Sequence, residues 1–243
     1  RRFVSTSCLP HDYNPSAECP KWLEFLDWAF DGDPERIALL QEWFGYCMTA
    51  DNSHQKMMAL HGVARSGKGT TSRVLEAMLG APNVTGYSLE SLANQFGKRA
   101  LVGKLLATIG EVNLQMNQHK FQIYQSLNMI TGNDAIEIEE KHNPITMSIR
   151  LYTRFMMCCN KLPNFMDDTG ALSERLLILK YNKARPEGQR DTGLFEKLVS
   201  EVSGITNWAF RGLARLRANG VFTTPGSMAE AVTEYRRKNS NAL

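Results

Sequence analysis

A glycine-rich loop between an apolar run and a helical pattern constrains this chain more than any other feature. Residues 62–68 read GVARSGK and match the pattern GxxxxGK. Residues 56–61 form a short apolar run typical of a buried strand, and residues 70–79 have helical spacing. Glycines let backbone N–H groups surround an anion, and the start of the following helix adds partial positive charge. The pattern predicts a phosphate-binding loop (P-loop) in an α/β protein.

We expect this loop to bind the phosphates of ATP, with the Lys68 ammonium group on the β- and γ-phosphates. The residue after this lysine is usually Ser or Thr, which binds Mg²⁺. Here that position is Gly69, and Thr70 follows it, so Thr70 is a candidate for either the metal or a phosphate. The predicted nucleotide-binding residues are Gly62, Val63, Ala64, Arg65, Ser66, Gly67, Lys68, Gly69 and Thr70.

The remaining patterns divide the chain into three predicted parts. Residues 1–53 form an extended lead-in and an N-terminal helical collar, 54–182 form the P-loop core, and 183–243 form a C-terminal helical segment. Asp33 and Pro34 have the positions of an N-cap and a first helical residue. Predicted helices cover 21–30, 34–49, 120–130, 194–218 and 227–237, and predicted strands cover 101–109, 135–138, 145–149, 154–159 and 176–181. This alternation predicts an α/β fold with a mostly parallel central sheet, helices on both faces and helical flanks.

Composition excludes some function classes. The net charge of +3 is weak, so a nucleic-acid site must depend on local placement. The five cysteines form no CxxC pair, and no apolar run approaches the roughly 20 residues of a membrane span. We therefore expect a cytoplasmic protein without a membrane partner. The opening Arg1-Arg2 and the abrupt end after a helical pattern suggest a segment of a longer protein.

Three further motifs follow the P-loop in a fixed order. Residues 105–109 are an apolar run that leads to Gly110 and Glu111, and residues 155–159 lead to Asn160. Residues 167–175 read DDTGALSER and end at Arg175. With the lead-in LPHDYNP at 9–15, this ordered set resembles the superfamily 3 helicase module of phage and plasmid primase-helicases, relatives of poxviral, papillomaviral and parvoviral replicative helicases. The resemblance covers residues 9–238.

The resemblance implies an AAA+-like core that hydrolyses ATP with Mg²⁺ at the subunit interfaces of a hexameric ring and unwinds DNA in replication. Lys68, Glu111, Asn160 and Arg175 would be catalytic. Glu111 would orient the attacking water and, with Thr70, influence Mg²⁺; Asn160 would sense the γ-phosphate. Arg175 would reach the neighbouring subunit's ATP. The family often has two adjacent acids where this chain has Gly110 and Glu111. Primase and winged-helix domains are expected outside these residues.

The resemblance also implies a DNA-binding hairpin at 135–149 that projects into the pore of the ring. Lys141 and His142 near its tip would bind the phosphates of single-stranded or forked DNA. The family commonly has Lys where this chain has Asn128. Acidic residues, Glu137, Glu139 and Glu140, make this region locally negative and oppose simple electrostatic attraction.

Two other functions remain open from the sequence. The GKGT of residues 67–70 is also similar to the P-loop of adenylate-type nucleotide kinases, although that loop normally lies near the N-terminus and no arginine-rich lid pattern is present. The third possibility is a DNA-binding replication initiator with weak ATPase activity, which Gly69 and the single acid at Glu111 leave open.

Overall fold

The computed structural model describes residues 7–110, 119–140, 143–165, 167, 169–186, 188 and 191–240. Its strands are β1 Met57–Gly62, β2 Val84–Tyr87, β3 Leu106–Ile109, β4 Ala135–Glu140, β5 Asn143–Arg150, β6 Arg154–Cys159 and β7 Leu176–Tyr181. Its helices are α1 Pro20–Phe30, α2 Pro34–Cys47, α3 Lys68–Leu79, α4 Lys120–Thr131, α5 Ala171–Arg175, α6 Leu194–Val199, α7 Val202–Asn219 and α8 Gly226–Ser240. Short 3₁₀ turns lie at Ala81–Asn83, Leu89–Leu92 and Gly97–Leu101.

A five-stranded parallel sheet forms the centre of the fold, with the strand order β2-β3-β6-β1-β7. Consecutive residues of β1, from Met57 to Leu60, are all fully buried, so both faces of this strand are covered. Helix α3 packs against β6, and α2 and α8 pack against β7. The predicted α/β fold with a mostly parallel sheet is therefore confirmed. The carboxyl ends of all five strands lie at one edge of the sheet.

Strands β4 and β5 form a separate antiparallel hairpin. Ile136 and Ile138 are buried, whereas Glu137 between them is exposed, the alternation expected of a strand with one covered face. Helix α4 precedes the hairpin and contacts β4. The ladder continues to the pair Glu140 and Asn143, so the strands are longer than predicted.

The N- and C-terminal helices pack on each other. Helix α2 packs closely against α7, and Gly45 and Gly212 allow the two backbones to approach. The Glu42 carboxylate is fully buried and accepts hydrogen bonds from Arg215 Nε at 2.7 Å and from the backbone N–H of Thr223 at 2.7 Å. Glu201, just before α7, accepts hydrogen bonds from the first N–H groups of α1 at Lys21 and Trp22. Residues from both flanks and from the sheet share one hydrophobic core.

Most of the predicted elements are present, with differences at their ends. Asp33 caps α2 as predicted, because its side chain accepts hydrogen bonds from the N–H groups of Glu35 and Arg36. The predicted strand 101–109 is shorter, since Leu101 ends a 3₁₀ turn and Gly103 adopts a φ of 76°. The predicted helix 194–218 is divided into α6 and α7. Among the described helices, none is both long and apolar enough to cross a membrane.

The α2–α7 contact leads to a stability prediction. A methyl group on Gly212 would collide with the backbone carbonyl group of Gln41. We expect Gly212→Ala to lower the free energy of unfolding by about 1–3 kcal/mol, despite the roughly 1 kcal/mol higher helix propensity of alanine. Urea unfolding measures the change. The control is Gly226→Ala at the start of α8, where the methyl group meets open space and the change should stay within about 0.5 kcal/mol. Equal stabilities of the two variants would contradict the packing argument.

Candidate nucleotide-binding site

The predicted P-loop connects the end of β1 to the start of α3. Strand β1 ends at Gly62, and α3 begins at Lys68 with Gly67 as its N-cap. Gly67 has a φ of 97°, a conformation that favours glycine. Arg65 also has a positive φ, at 62°. The strand–loop–helix context that makes the GxxxxGK motif credible is therefore present.

The Lys68 side chain folds back over the loop. Its Nζ donates hydrogen bonds to the carbonyl oxygens of Gly62 at 2.9 Å and Val63 at 2.5 Å, and lies 3.4 Å from Ser66 Oγ. Ser66 Oγ donates to the Val63 carbonyl oxygen at 2.8 Å. Burial lowers the pKa of the Lys68 ammonium group below its usual value. The ammonium group therefore connects the two ends of the loop. Because burial disfavours its charged form, a bound anion would stabilise it.

Neighbouring segments also hold the loop in place. The backbone N–H of Arg185 donates to the Arg65 carbonyl oxygen at 3.2 Å. The Thr71 hydroxyl group is hydrogen-bonded to the Tyr181 hydroxyl group at 2.9 Å, in the buried contact between α3 and the end of β7. Since Thr71 is fully buried and Thr70 faces the cavity over the loop, Thr70 is the better placed threonine for a metal or a phosphate.

A cavity of about 420 Å³ lies over the loop. It is lined by Ala64, Arg65, Ser66, Gly67, Lys68, Gly69, Thr70, Arg73, Cys158 and Asn160. The structure thus brings Asn160 together with most of the predicted nucleotide-binding residues, including Lys68 and Thr70. Gly62 and Val63 contribute their carbonyl groups to the Lys68 ammonium group instead.

Parallel pairing explains why Asn160 reaches the loop. Leu60 of β1 pairs in register with Cys158 of β6, so the residue after β6 lies beside the residues after β1. Ile109 of β3 pairs with Met157 on the other side of β6. The end of β3 therefore lies at the same edge of the sheet. Glu111, predicted to follow this strand, lies outside the described residues.

Cys158 and Arg73 line the cavity but were not predicted from the sequence. Burial raises the pKa of the Cys158 thiol to about 11, so the thiol is protonated at neutral pH and is not an activated nucleophile. The alternation of side chains along β6 could have identified Cys158, because it faces the same side as Asn160 two residues later. Arg73 lies one helical turn after Gly69, and its Nε donates to the Gly69 carbonyl oxygen at 3.3 Å.

Arg175 lies at the end of α5 and is not among the described residues that line the cavity of its own P-loop. Its Nη1 donates hydrogen bonds to Asn128 of α4, to the carbonyl oxygen at 2.8 Å and to Oδ1 at 3.0 Å. Asp167 fixes the preceding segment: its buried carboxylate accepts hydrogen bonds from the Ser173 N–H at 2.7 Å and from the Tyr124 hydroxyl group at 3.1 Å. Arg175 is thus connected to the helix that leads into the hairpin.

The predicted DNA-binding residues Lys141 and His142 lie outside the described residues. The structure describes the strands on either side of them, β4 and β5.

A second cavity of about 360 Å³ adjoins the first and was also not predicted. It shares four lining residues with the first cavity, the P-loop cavity: Arg65, Gly67, Thr70 and Arg73. Its other walls come from the flanking helical parts of the chain: Phe25, Trp28, Arg185, Asp191, Thr192 and Leu194. The two cavities therefore meet at the P-loop.

Comparisons with known proteins agree with this architecture. Residues 60–175, slightly less than half of the chain, match a family described as "Family of unknown function (DUF5906)". The fold is similar to the A form apo structure of the NrS-1 C-terminal region, with a TM-score of 0.69 and 15% identity over 94% of this chain and 53% of that chain. Another apo structure of that region gives a TM-score of 0.65 and 13% identity over 95% and 54%. This chain spans about half of the length of those structures, and the likeness shows a shared fold.

Proposed function

We propose that this chain is the ATP-hydrolysing motor of a DNA helicase of the superfamily 3 type, acting as a ring of subunits. One observation carries the proposal: Lys68, Thr70 and Asn160 line a single cavity at the carboxyl edge of a parallel sheet. A P-loop followed by a strand-end amide is an arrangement suited to holding a triphosphate and the water that attacks it. A similar fold is found in the NrS-1 C-terminal region.

The hydrogen bonds of Lys68 support a nucleotide-binding role. In the structure its ammonium group donates to carbonyl oxygens, which are weaker acceptors than phosphate oxygens. The γ-phosphate of ATP would take over these bonds, and the N–H groups at the start of α3 would add further donors. Thr70 and Glu111 are the residues proposed to hold Mg²⁺, and the place of Thr70 in the cavity wall fits that role. Bound Mg²⁺ would neutralise charge on the phosphates.

Hydrolysis would need one residue from a second subunit. Glu111 would orient the attacking water, and the Asn160 amide would contact the water or the γ-phosphate. Arg175 donates hydrogen bonds to Asn128. It is not among the described residues that line its own P-loop cavity, which favours a role in a neighbouring subunit's site. A guanidinium group supplied in trans stabilises charge that develops on the transferred phosphoryl group.

In this proposal Arg175 also couples ATP binding in the neighbouring site to movement of the DNA-binding hairpin. A γ-phosphate in the neighbouring site would compete with Asn128 for the Arg175 guanidinium group, and α4 leads directly into β4. Loss of this bond would free the end of α4 next to the hairpin. Lys141 and His142 of the hairpin would then move with the phosphates of the bound strand, which carry no sequence information.

The first prediction from this proposal concerns Lys68. We expect Lys68→Ala to weaken ATP binding by about 100-fold or more, since each charge-assisted hydrogen bond contributes about 1.5–3 kcal/mol. Calorimetric titration with MgATP measures the change, and single-stranded DNA should no longer stimulate phosphate release. The control is Lys238→Ala, which removes an exposed lysine paired with Glu234 on α8. Unchanged ATP binding in Lys68→Ala, or phosphoryl transfer to AMP by the wild type, would contradict the proposal.

The second prediction tests whether Arg175 acts in trans. Arg175→Ala should lower the hydrolysis rate about 10³-fold while ATP binding is retained. An equal mixture of Arg175→Ala and Lys68→Ala should recover activity, because roughly a quarter of the interfaces in a random ring join the two intact halves. Arg236→Ala, which removes an exposed arginine near Glu174, is the matched control. A mixture as inactive as its two components would show that Arg175 does not complete a neighbour's site.

The third prediction concerns DNA. Lys141→Ala should slow strand displacement on forked DNA and reduce the salt dependence of single-strand binding by about one phosphate contact. ATP binding without DNA should not change. Lys21→Ala, at an exposed position of α1, should leave both measurements unchanged. Normal strand displacement by Lys141→Ala would remove the hairpin tip from the proposed mechanism.

A further inference from the structure

The cavity beside the P-loop has the features of a second subsite for the molecule that the loop binds. It shares Gly67 and Thr70 with the P-loop cavity. A molecule whose phosphates lie in the loop can therefore extend into this second cavity. Phe25 and Trp28 of α1 lie directly against the loop: a methyl group on Gly67 would approach Phe25 Cζ to 2.9 Å and a Trp28 ring carbon to 3.7 Å. The cavity therefore has an aromatic wall at the point where the phosphates would end.

A guanidinium group completes this wall. Arg185 Cζ lies 4.3 Å from the centre of the Trp28 ring, a cation–π contact, and the Arg185 backbone N–H is bonded to the loop at Arg65. Arg185 Nε is buried and has no hydrogen-bond partner among the described residues. A buried donor without a partner costs free energy unless a ligand or water satisfies it.

These features match the chemistry of a nucleobase. A base is flat and aromatic, so it packs favourably against indole, phenyl and guanidinium groups. Its ring nitrogens and carbonyl oxygens accept hydrogen bonds, as the Arg185 Nε–H requires. Small-molecule sites typically combine apolar walls with a few placed polar groups, and this cavity has that composition.

We propose that the cavity bounded by Trp28 and Arg185 binds the base of the nucleoside triphosphate whose phosphates occupy the P-loop. This inference rests on the proposed function, because it assumes a nucleotide in the loop. Half-buried Trp28 supplies the aromatic surface, nearly buried Phe25 closes the wall beside the loop, and Arg185 Nε–H donates a hydrogen bond to the base. The collar helix α1 and the segment between β7 and α6 are then parts of the nucleotide site.

Calorimetric titration with two ligands, MgATP and magnesium tripolyphosphate, tests this assignment on the full chain. Tripolyphosphate occupies the P-loop but has no base. We expect Trp28→Ala to weaken ATP binding by about 10- to 100-fold, the usual range for loss of one stacking partner, and to leave tripolyphosphate binding unchanged within about twofold. Trp28→Phe, which keeps an aromatic face, should recover most of the ATP affinity. Arg185→Met keeps the backbone bond to Arg65 and should weaken ATP binding alone.

Each alternative outcome has a distinct meaning. Equal losses for ATP and tripolyphosphate in both Trp28→Ala and Arg185→Met would mean that these residues only support the loop, and would overturn the base site. Equal affinity of the wild type for the two ligands would also overturn it, while the P-loop function would stand. A wild-type chain that binds neither ligand would refute the proposed function itself. Loss of ATP affinity alone in Arg185→Met supports the base site even if Trp28→Ala fails to fold.

Discussion

The parallel pairing of β1 between β6 and β7 is the constraint on which the rest of the structure depends. Met57 to Leu60 of β1 are fully buried, and the pairing directs the carboxyl end of β1, where the P-loop begins, toward the same edge as the residue after β6. The Lys68 ammonium group then closes the loop on its own carbonyl oxygens. Asn160 owes its place in the cavity to this register and not to any local sequence preference.

The flanking helices are integral to the same unit. Buried Glu42 joins α2 to Arg215 of α7, and Glu201 caps the start of α1, so the two ends of the chain stabilise each other. Phe25 and Trp28 of α1 are thereby held in contact with Gly67 of the P-loop. The helix predicted to belong to a collar is therefore in direct contact with the predicted nucleotide-binding loop.

Sequence patterns predicted the elements with strong apolar runs and missed those that depend on tertiary contacts. Strands β6 and β7 match their predicted bounds, because continuous burial leaves a clear apolar signature. Strand β2, with the sequence VTGY, was missed since it is a short, half-buried edge strand containing glycine. The predicted site residues of the P-loop follow from one local motif. Trp28 and Arg185 carry no such motif, because they come together beside the loop only where α1 and the segment after β7 meet it.

The most direct test of the account is a crystal structure of the chain with Mg²⁺ and a non-hydrolysable ATP analogue. The account predicts that the β- and γ-phosphates lie within hydrogen-bonding distance of Lys68 Nζ and of the backbone N–H groups at the start of α3, with Asn160 beside the γ-phosphate. Phosphates bound elsewhere on the chain, with Lys68 still bonded to the carbonyl oxygens of Gly62 and Val63, would contradict it.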